Sequence, residues 1–270
     1  TVKFLLELDN GDKVETVYIP EAKRITICVS SQVGCALRCA FCHTGTQGFT
    51  RNLSVEEIVK QVVLLRDFAK EKAQEKNEEC KPINLVFMGM GEPFYNYDNM
   101  AAAIKILMDS DGLAISRRRI TISTSGVVPQ IKKCAEELRV NLAVSLHASS
   151  NEVRNKIMPI NKKYPIEQLI EACRGYQELA SSRRTTFEYL MLQGVNDSFE
   201  QAKELVRLIR GIPCIVNLLP FNEWPGASYK CSSEVVMKNF AQTIQRAGYQ
   251  ATIRKPRGRD ILAACGQLKS

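Results

Sequence analysis

The chain has 270 residues, 45% hydrophobic and 24% charged, enough to bury a core of its own. Lys plus Arg number 37 against 29 Asp plus Glu, for a net charge of +8. This make-up excludes disorder, collagen and coiled coil; no apolar run reaches the ~18 residues of a membrane span, and no basic-then-apolar segment opens the chain as a secretory signal would.

Val2 to Leu8 and Val14 to Ile19 alternate apolar and polar residues around Asn10-Gly11, a strong hairpin signal. Residues 24–29 read as a third strand. Ser54, with Glu57 three residues on, caps a helix whose stripe is Ile58, Val59, Val62 and Val63. The charged run 71–81 reads as a surface connection. Strands then recur at Ile83–Met88, Arg119–Ser123, Asn141–Leu146, Thr185–Leu192 and Cys214–Leu219. Helical periods separate them at about 97–109, 129–138, 166–180 and 198–210, the last capped by Ser198 with Gln201. A helix near 233–247 and a strand at Gln250–Arg254 follow.

With the strand at 24–29 this makes six strand–helix units, too few for a closed eight-fold barrel. The expected fold is α/β: an open, partial parallel (β/α)6 barrel behind an N-terminal β-hairpin, with a doubly wound sheet as the alternative. In either, ligands sit at the carboxyl ends of the strands, here 30–48, 89–94, 123–126, 145–149, 193–196 and 220–226. Residues 1–22 form the hairpin extension and 23–270 the catalytic domain. The chain opens at Thr1 in a strand-like run, so a segment upstream of it is expected.

The basic residues are clumped at Lys23-Arg24, Arg117 to Arg119, Lys132-Lys133, Lys162-Lys163, Arg183-Arg184, and Arg254-Lys255 with Arg257 and Arg259. Each pair alone suits a solvated surface; together they suit a partner with phosphates. Ten cysteines are the compositional oddity. A chain this long needs no disulfide framework, so they point to metal or thiol chemistry in a reducing compartment, the cytoplasm.

Cys35-Ala-Leu-Arg-Cys39-Ala-Phe-Cys42 follows the strand at 24–29. Zinc would want a fourth ligand, Cys28 or His43, and no second CxxC pair occurs. An iron–sulfur cubane takes one thiolate per iron, so three cysteines leave one iron open to a substrate. This spacing after the first strand of a partial barrel resembles the radical S-adenosylmethionine (SAM) superfamily, and Phe41 matches its usual aromatic. The longer stretch from Cys28 to Phe49 resembles the bacterial dual-specificity RNA methyltransferases. So do Met88-Gly-Met-Gly-Glu-Pro93, Ser123-Thr-Ser-Gly126, Ser145-Leu-His147 and Ala263-Ala-Cys-Gly-Gln267, in family order across nearly the whole chain.

The resemblance implies a 4Fe–4S cluster on Cys35, Cys39 and Cys42. It implies SAM, two molecules per turnover, held by Gly91, Glu92, Ser123, Ser145, Leu146, His147 and Asn222. It implies methylation of carbon 2 of adenosine in large-subunit ribosomal RNA and transfer RNA. In that family one electron from the cluster splits SAM to a 5′-deoxyadenosyl radical. Cys265 would carry a methyl group taken from a first SAM. Loss of hydrogen from that methyl would leave a carbon radical that adds to the adenine, giving a covalent protein–RNA adduct. Cys28 would resolve the adduct by a transient disulfide with Cys265, and Glu15 matches the family carboxylate that serves as base. Gly258 and Gly266 would let the loop carrying Cys265 move. A sister group methylates carbon 8; Val33 and Arg257-Gly258 favour the carbon-2 branch. A non-catalytic zinc-bound RNA-binding module and a different radical SAM enzyme are the rivals. The lack of a long apolar run implies no membrane attachment, and nothing in the sequence demands a dimer, so a monomer is expected. The resemblance further implies an electron donor such as flavodoxin with its reductase, and a helical accessory domain that this chain lacks. Cys80, Cys134, Cys173, Cys214 and Cys231 read as packing or surface thiols.

Overall fold

The structure, a computed structural model, describes residues 1–180, 185–255 and 257–270. Arg183 and Arg184 lie outside the described residues. The hairpin forms as its turn dictates: β1 (Val2–Glu7) and β2 (Lys13–Pro20) run antiparallel around Gly11, whose φ is +83°. β2 pairs antiparallel with β3 (Ile25–Cys28), so the hairpin continues the main sheet. The cysteine block follows, flanked by a small ribbon of β4 (Gln32–Gly34) and β5 (Phe49–Asn52), with the short α1 (His43–Gln47) between them.

α2 (Val55–Gln74) opens on the anticipated capping box: the Glu57 N–H donates to Ser54 Oγ at 3.2 Å, and the Ser54 N–H to Glu57 Oε2 at 2.8 Å. Ile58, Val62 and Leu65 are wholly buried, each contributing about 1.5–3 kcal/mol through burial. The helix runs on to Gln74, into the charged stretch read as a connection. Glu and Lys are good helix formers, and a run without an apolar stripe conceals them.

Then come β6 (Ile83–Phe87), α3 (Tyr97–Met108), β7 (Ile120–Thr124), α4 (Val128–Glu137), β8 (Asn141–Ser145), α5 (Asn151–Ile157) and α6 (Ile166–Leu179). β9 (Thr185–Met191), α7 (Phe199–Leu208), β10 (Cys214–Pro220), α8 (Glu234–Arg246) and β11 (Gln250–Ile253) complete the chain. The nine-stranded sheet has the order β1-β2-β3-β6-β7-β8-β9-β10-β11, parallel from β3 onward. Strand order never reverses, as it would at the switch point of a doubly wound sheet. This is the open, singly wound partial barrel, with β11 joining the six anticipated strands as a seventh.

The two-residue period of the strands sorts their side chains. Ile27, Ile122, Val144, Phe187, Val216 and Leu218 lie in the hydrophobic core at 0% exposure. The alternate positions Thr26, Asn84, Thr121, Thr186, Glu188 and Asn217 line a cavity instead. The barrel is therefore apolar toward its helices and polar within.

Candidate active site

The loop after β3 is fixed before the cysteines begin. Gln61 of α2 accepts from the Ser30 N–H at 2.8 Å and donates to the Ser30 carbonyl at 3.1 Å. The Cys35 N–H donates to the Gly48 carbonyl at 2.7 Å, the Ala40 N–H to Ile157 at 2.9 Å, and the Cys42 N–H to Cys39 at 3.0 Å. Cys35, Cys39 and Cys42 line one cavity of ≈ 140 Å³ together with Gly91, Glu92, Ser123, Ser145 and His147.

Burial pushes the Cys35 thiol up to about 12 and also raises Cys39 and Cys42. Such thiols become ligands by yielding their protons to a metal. Among the described residues no group of three or more His, Cys, Asp or Glu side chains is arranged to hold a single metal ion. His43 stacks on Trp224, with ring centroids 4.6 Å apart, and its Nδ1 lies 3.2 Å from the Gln267 carbonyl. The three thiols line one cavity, and their number fits an iron–sulfur cubane that leaves one iron open.

Strand ends supply the opposite wall. Gly91 has φ +96°, and a Cβ there would meet Gln32 Cβ at 2.5 Å, so the turn into Glu92 requires glycine. Glu92 is buried, which raises its pKa, and it accepts the Phe94 N–H at 3.1 Å and the Ser125 N–H at 2.7 Å. It thereby ties the end of β6 to the end of β7. His147 is held at φ +56° by two groups: Asn196 Nδ2 donates to its carbonyl at 2.7 Å, and the Leu190 N–H donates to its Nδ1 at 3.0 Å. Burial lowers its pKa to about 3, so the ring is neutral and its proton is on Nε2. Leu146 is fully buried and lines neither cavity; its N–H donates to the Glu188 carbonyl and its own carbonyl accepts from Arg154.

A second, larger cavity of ≈ 490 Å³ adjoins the first. Cys265, Glu188, Leu190, Leu219, Met88 and Arg254 line both. Cys28, at the end of β3, and Asn222 line the larger one. Burial lifts the Cys28 thiol to about 12, with a further push from Cys265. Cys265 is exposed taken as a whole residue, yet its thiol is crowded by protein, and burial raises it too. The C-terminal segment carries Cys265 to the cysteine block. The His43 N–H donates to the Gly266 carbonyl at 2.8 Å, Thr44 Oγ1 to Leu268 at 2.6 Å, and Gln267 Nε2 to Glu223 at 2.7 Å. Gly258 and Gly266 have positive φ as expected of loop glycines, but the segment between Cys265 and the terminus is anchored rather than free.

Glu15 is buried and engaged elsewhere. It pairs with Lys3 at 2.6 Å and accepts the Lys269 N–H at 2.9 Å, and it lines neither cavity. It joins the hairpin to the C-terminal tail. Glu188, which sequence reasoning missed, stands where both cavities meet. Its Oε1 accepts from Asn217 at 3.1 Å while Oε2 has no partner. Asn222 Oδ1 is likewise buried without a partner. Two unmet acceptors facing a cavity fit a ligand that brings O–H or N–H donors, as the ribose and amine groups of SAM do.

The larger cavity is also lined by Arg24, Arg254, Lys255 and Arg257, all exposed, so the fold gathers two of the basic clumps at one mouth. Arg117 to Arg119 precede β7, at the other end of the strands. Cys134, Cys173 and Cys214 pack in the core, Cys80 is exposed and Cys231 half-buried; neither cavity is lined by any of the five.

Residues 29–208 match the model of the radical SAM superfamily. A protein of Rhodospirillum rubrum named dual-specificity RNA methyltransferase RlmN is 57% identical over all 270 residues, which cover 63% of its length. Proteins of the same name from Parvibaculum lavamentivorans (55%) and Paracoccus denitrificans (56%) are matched over the whole of this chain and 70% of their own. This chain thus spans about two thirds of the length of these relatives. The crystal structure of a radical SAM methyltransferase from Sphaerobacter thermophilus superposes with a TM-score of 0.93 at 46% identity, covering 99% of this chain and 76% of that one. The hydrogenase maturase HydG, at 14% identity and a TM-score of 0.59, shares the fold alone. The chain belongs to the dual-specificity RNA methyltransferase family of the radical SAM superfamily.

Proposed function

We propose that this chain is the catalytic barrel of an enzyme that methylates carbon 2 of adenosine in large-subunit ribosomal RNA and transfer RNA. The observation that carries the reading is one of placement. Three thiols from one short block, Cys28 seven residues before it and Cys265 near the other end of the sequence rim two adjoining cavities at the carboxyl ends of the strands.

Cys35, Cys39 and Cys42 hold the 4Fe–4S cluster. Glu92 and the neighbouring Gly91, Ser123, Ser145, His147 and Asn222 hold SAM, with Leu146 fixing the backbone beside them. When bound, cluster and SAM supply an electron and a methyl group, with two SAM molecules used per turnover.

Cys265 takes the methyl group: its S–H proton leaves as the sulfur–methyl bond forms and the bond from that methyl to the SAM sulfur breaks. Its raised pKa keeps it a thiol until then, so a proton acceptor is needed, and the unpartnered oxygen of Glu188 lies on the same cavity wall. Once the methyl carbon on Cys265 had been joined to carbon 2 of the adenine, Cys28 would release the product by attacking the Cys265 sulfur. An S–S bond forms as the sulfur–carbon bond breaks, and the product carbon takes a proton. The cycle begins with Cys28 and Cys265 as thiols, and a reductant returns them to that state. For Glu15 to act as base on a bound adenine, its contacts with Lys3 and Lys269 would first have to open.

Arg24, Arg254, Lys255 and Arg257 offer the RNA phosphates a basic mouth. The chain works as a monomer in the cytoplasm with an electron donor such as flavodoxin and its reductase. Among the described residues no helix is long and apolar enough to cross a membrane.

The test is anaerobic purification followed by metal analysis and nucleoside analysis of treated RNA. The reading expects ~4 irons and ~4 sulfides per chain and 2-methyladenosine as product. Zinc without iron would overturn the reading, and 8-methyladenosine would place the chain in the sister group.

A further inference from the structure

Arg154 is 0% exposed, the largest wholly buried side chain of the described residues. It projects from α5 and spends four hydrogen bonds on neutral acceptors. Nε donates to the Leu146 carbonyl at 2.9 Å, Nη1 to Asn161 Oδ1 at 3.0 Å, and Nη2 to the Ser125 and Ser145 carbonyls at 2.6 and 3.0 Å. It makes no ion pair with any described carboxylate. Burial lowers its pKa only to about 10, so it is a cation at neutral pH. A buried charge without an opposite partner is strongly unfavourable and rarely tolerated without a purpose.

The missing partner can be located from the geometry. Ser125 and Ser145, whose carbonyls grip the guanidinium, line the cavity walled by Cys35, Cys39 and Cys42. One turn along α5, the Ile157 carbonyl accepts the N–H of Ala40, the residue next to Cys39. The guanidinium is therefore tied to two residues that line the Cys39 cavity, and its own helix bonds the backbone beside Cys39. A negative charge on Cys39 favours the Arg154 cation, against the effect of burial. A cluster held by three thiolates is anionic and becomes more so when it accepts an electron.

We infer that Arg154 is a fixed countercharge to the cluster of the proposed function: held by the Ser125, Ser145 and Leu146 carbonyls, it favours the reduced state. The inference rests on that reading. Arg154 is a positioning residue and touches no reacting atom. Its staple between the ends of β7 and β8 is a structural role that the test must separate from its charge.

The experiment is a redox titration of the reconstituted chain followed by electron paramagnetic resonance, with parallel iron and sulfide assay. Arg154→Gln removes the charge. Asn161→Asp keeps the guanidinium in place and sets a carboxylate against Nη1, at the expense of two amide donations to Asn151 and Asn155. Arg154→Lys keeps the charge but not the fork. At a fixed poise the Gln and Asp variants should show at least a tenfold lower ratio of reduced to oxidised cluster, a shift of about 59 mV for a one-electron couple. Arg154→Lys should stay within about threefold of wild type. Fully loaded variants with unchanged potentials would overturn the inference. So would failure of all three variants to load a cluster, since stapling alone would then explain the residue. If Arg154→Gln alone fails to load, Asn161→Asp decides. Absence of iron and sulfide from the wild-type chain would instead defeat the cluster reading itself, and this inference with it.

Discussion

Replacing Glu188 with Gln should stabilise the ligand-free chain while weakening its binding of SAM. The carboxylate is 5% exposed, Asn217 satisfies Oε1, and Oε2 has no partner. A buried polar group left unsatisfied costs about 1–3 kcal/mol, more when ionised. Gln keeps the shape and the Asn217 contact and replaces a charged unpaired group with a neutral one, so the gain at neutral pH is about 1 kcal/mol, worth ~2–4 °C of Tm in a chain of this size. The pH dependence has a definite sign. Burial raises the Glu188 pKa, with Arg254 and Asn217 only partly opposing it. The folded state therefore favours the protonated form. That contribution is complete below the unfolded carboxylate pKa and is lost as pH rises through the folded value. The gap between variant and wild type should be small near ~pH 4 and widen toward ~pH 8. Urea unfolding of both proteins across that range, under reductant, measures it. A gap independent of pH, or a more stable wild type at neutral pH, would refute the reasoning. A charge-assisted bond to a ligand donor is worth about 1.5–3 kcal/mol, so SAM should bind the variant roughly ten- to a hundredfold more weakly.

Arg254→Gln should lower RNA affinity about equally across sequences and reduce the salt slope of binding by ~1, read by titration at several salt concentrations. An unchanged slope would remove Arg254 from the phosphate contacts. Gly91→Ala forces a side chain against Gln32 at positive φ and should cost about 1–3 kcal/mol in thermal unfolding, with SAM binding lost alongside. Ser54→Ala removes the N-cap of α2 at a residue that lines neither cavity, and should cost about 1 kcal/mol while leaving product formation intact.

Much of the fold was legible because local chemistry and global winding agree. Asn10-Gly11 announces the hairpin, and short strands alternate with helices whose apolar period shows in the sequence. The short elements escaped: α5, seven residues beginning Asn-Glu-Val-Arg, carries no extended apolar stripe, and β4 and β5 are too short for a period to show. The cysteine block and the strand ends gave away the cavity wall, because spacing and winding jointly bring them together. Glu188 was hidden for a physical reason. Its inward position depends on the register of β9 against β8 and β10, where it lies beside Ser145 and Asn217. Arg154 was hidden similarly, since an Arg in a polar seven-residue helix reads as surface until the helix is packed. Glu15 is matched by a motif to a reacting adenine, and its contacts with Lys3 and the tail are tertiary ones that no local pattern announces. That contact joins residues 254 apart in sequence, beyond any local signal.

The measurement closest to the central claim is peptide mass spectrometry of the reconstituted chain after incubation with SAM and a reductant. The account predicts one methyl group on Cys265 and none on the other nine cysteines, with the mark absent from Cys265→Ala. An unmodified Cys265 in a chain that still methylates RNA would contradict it.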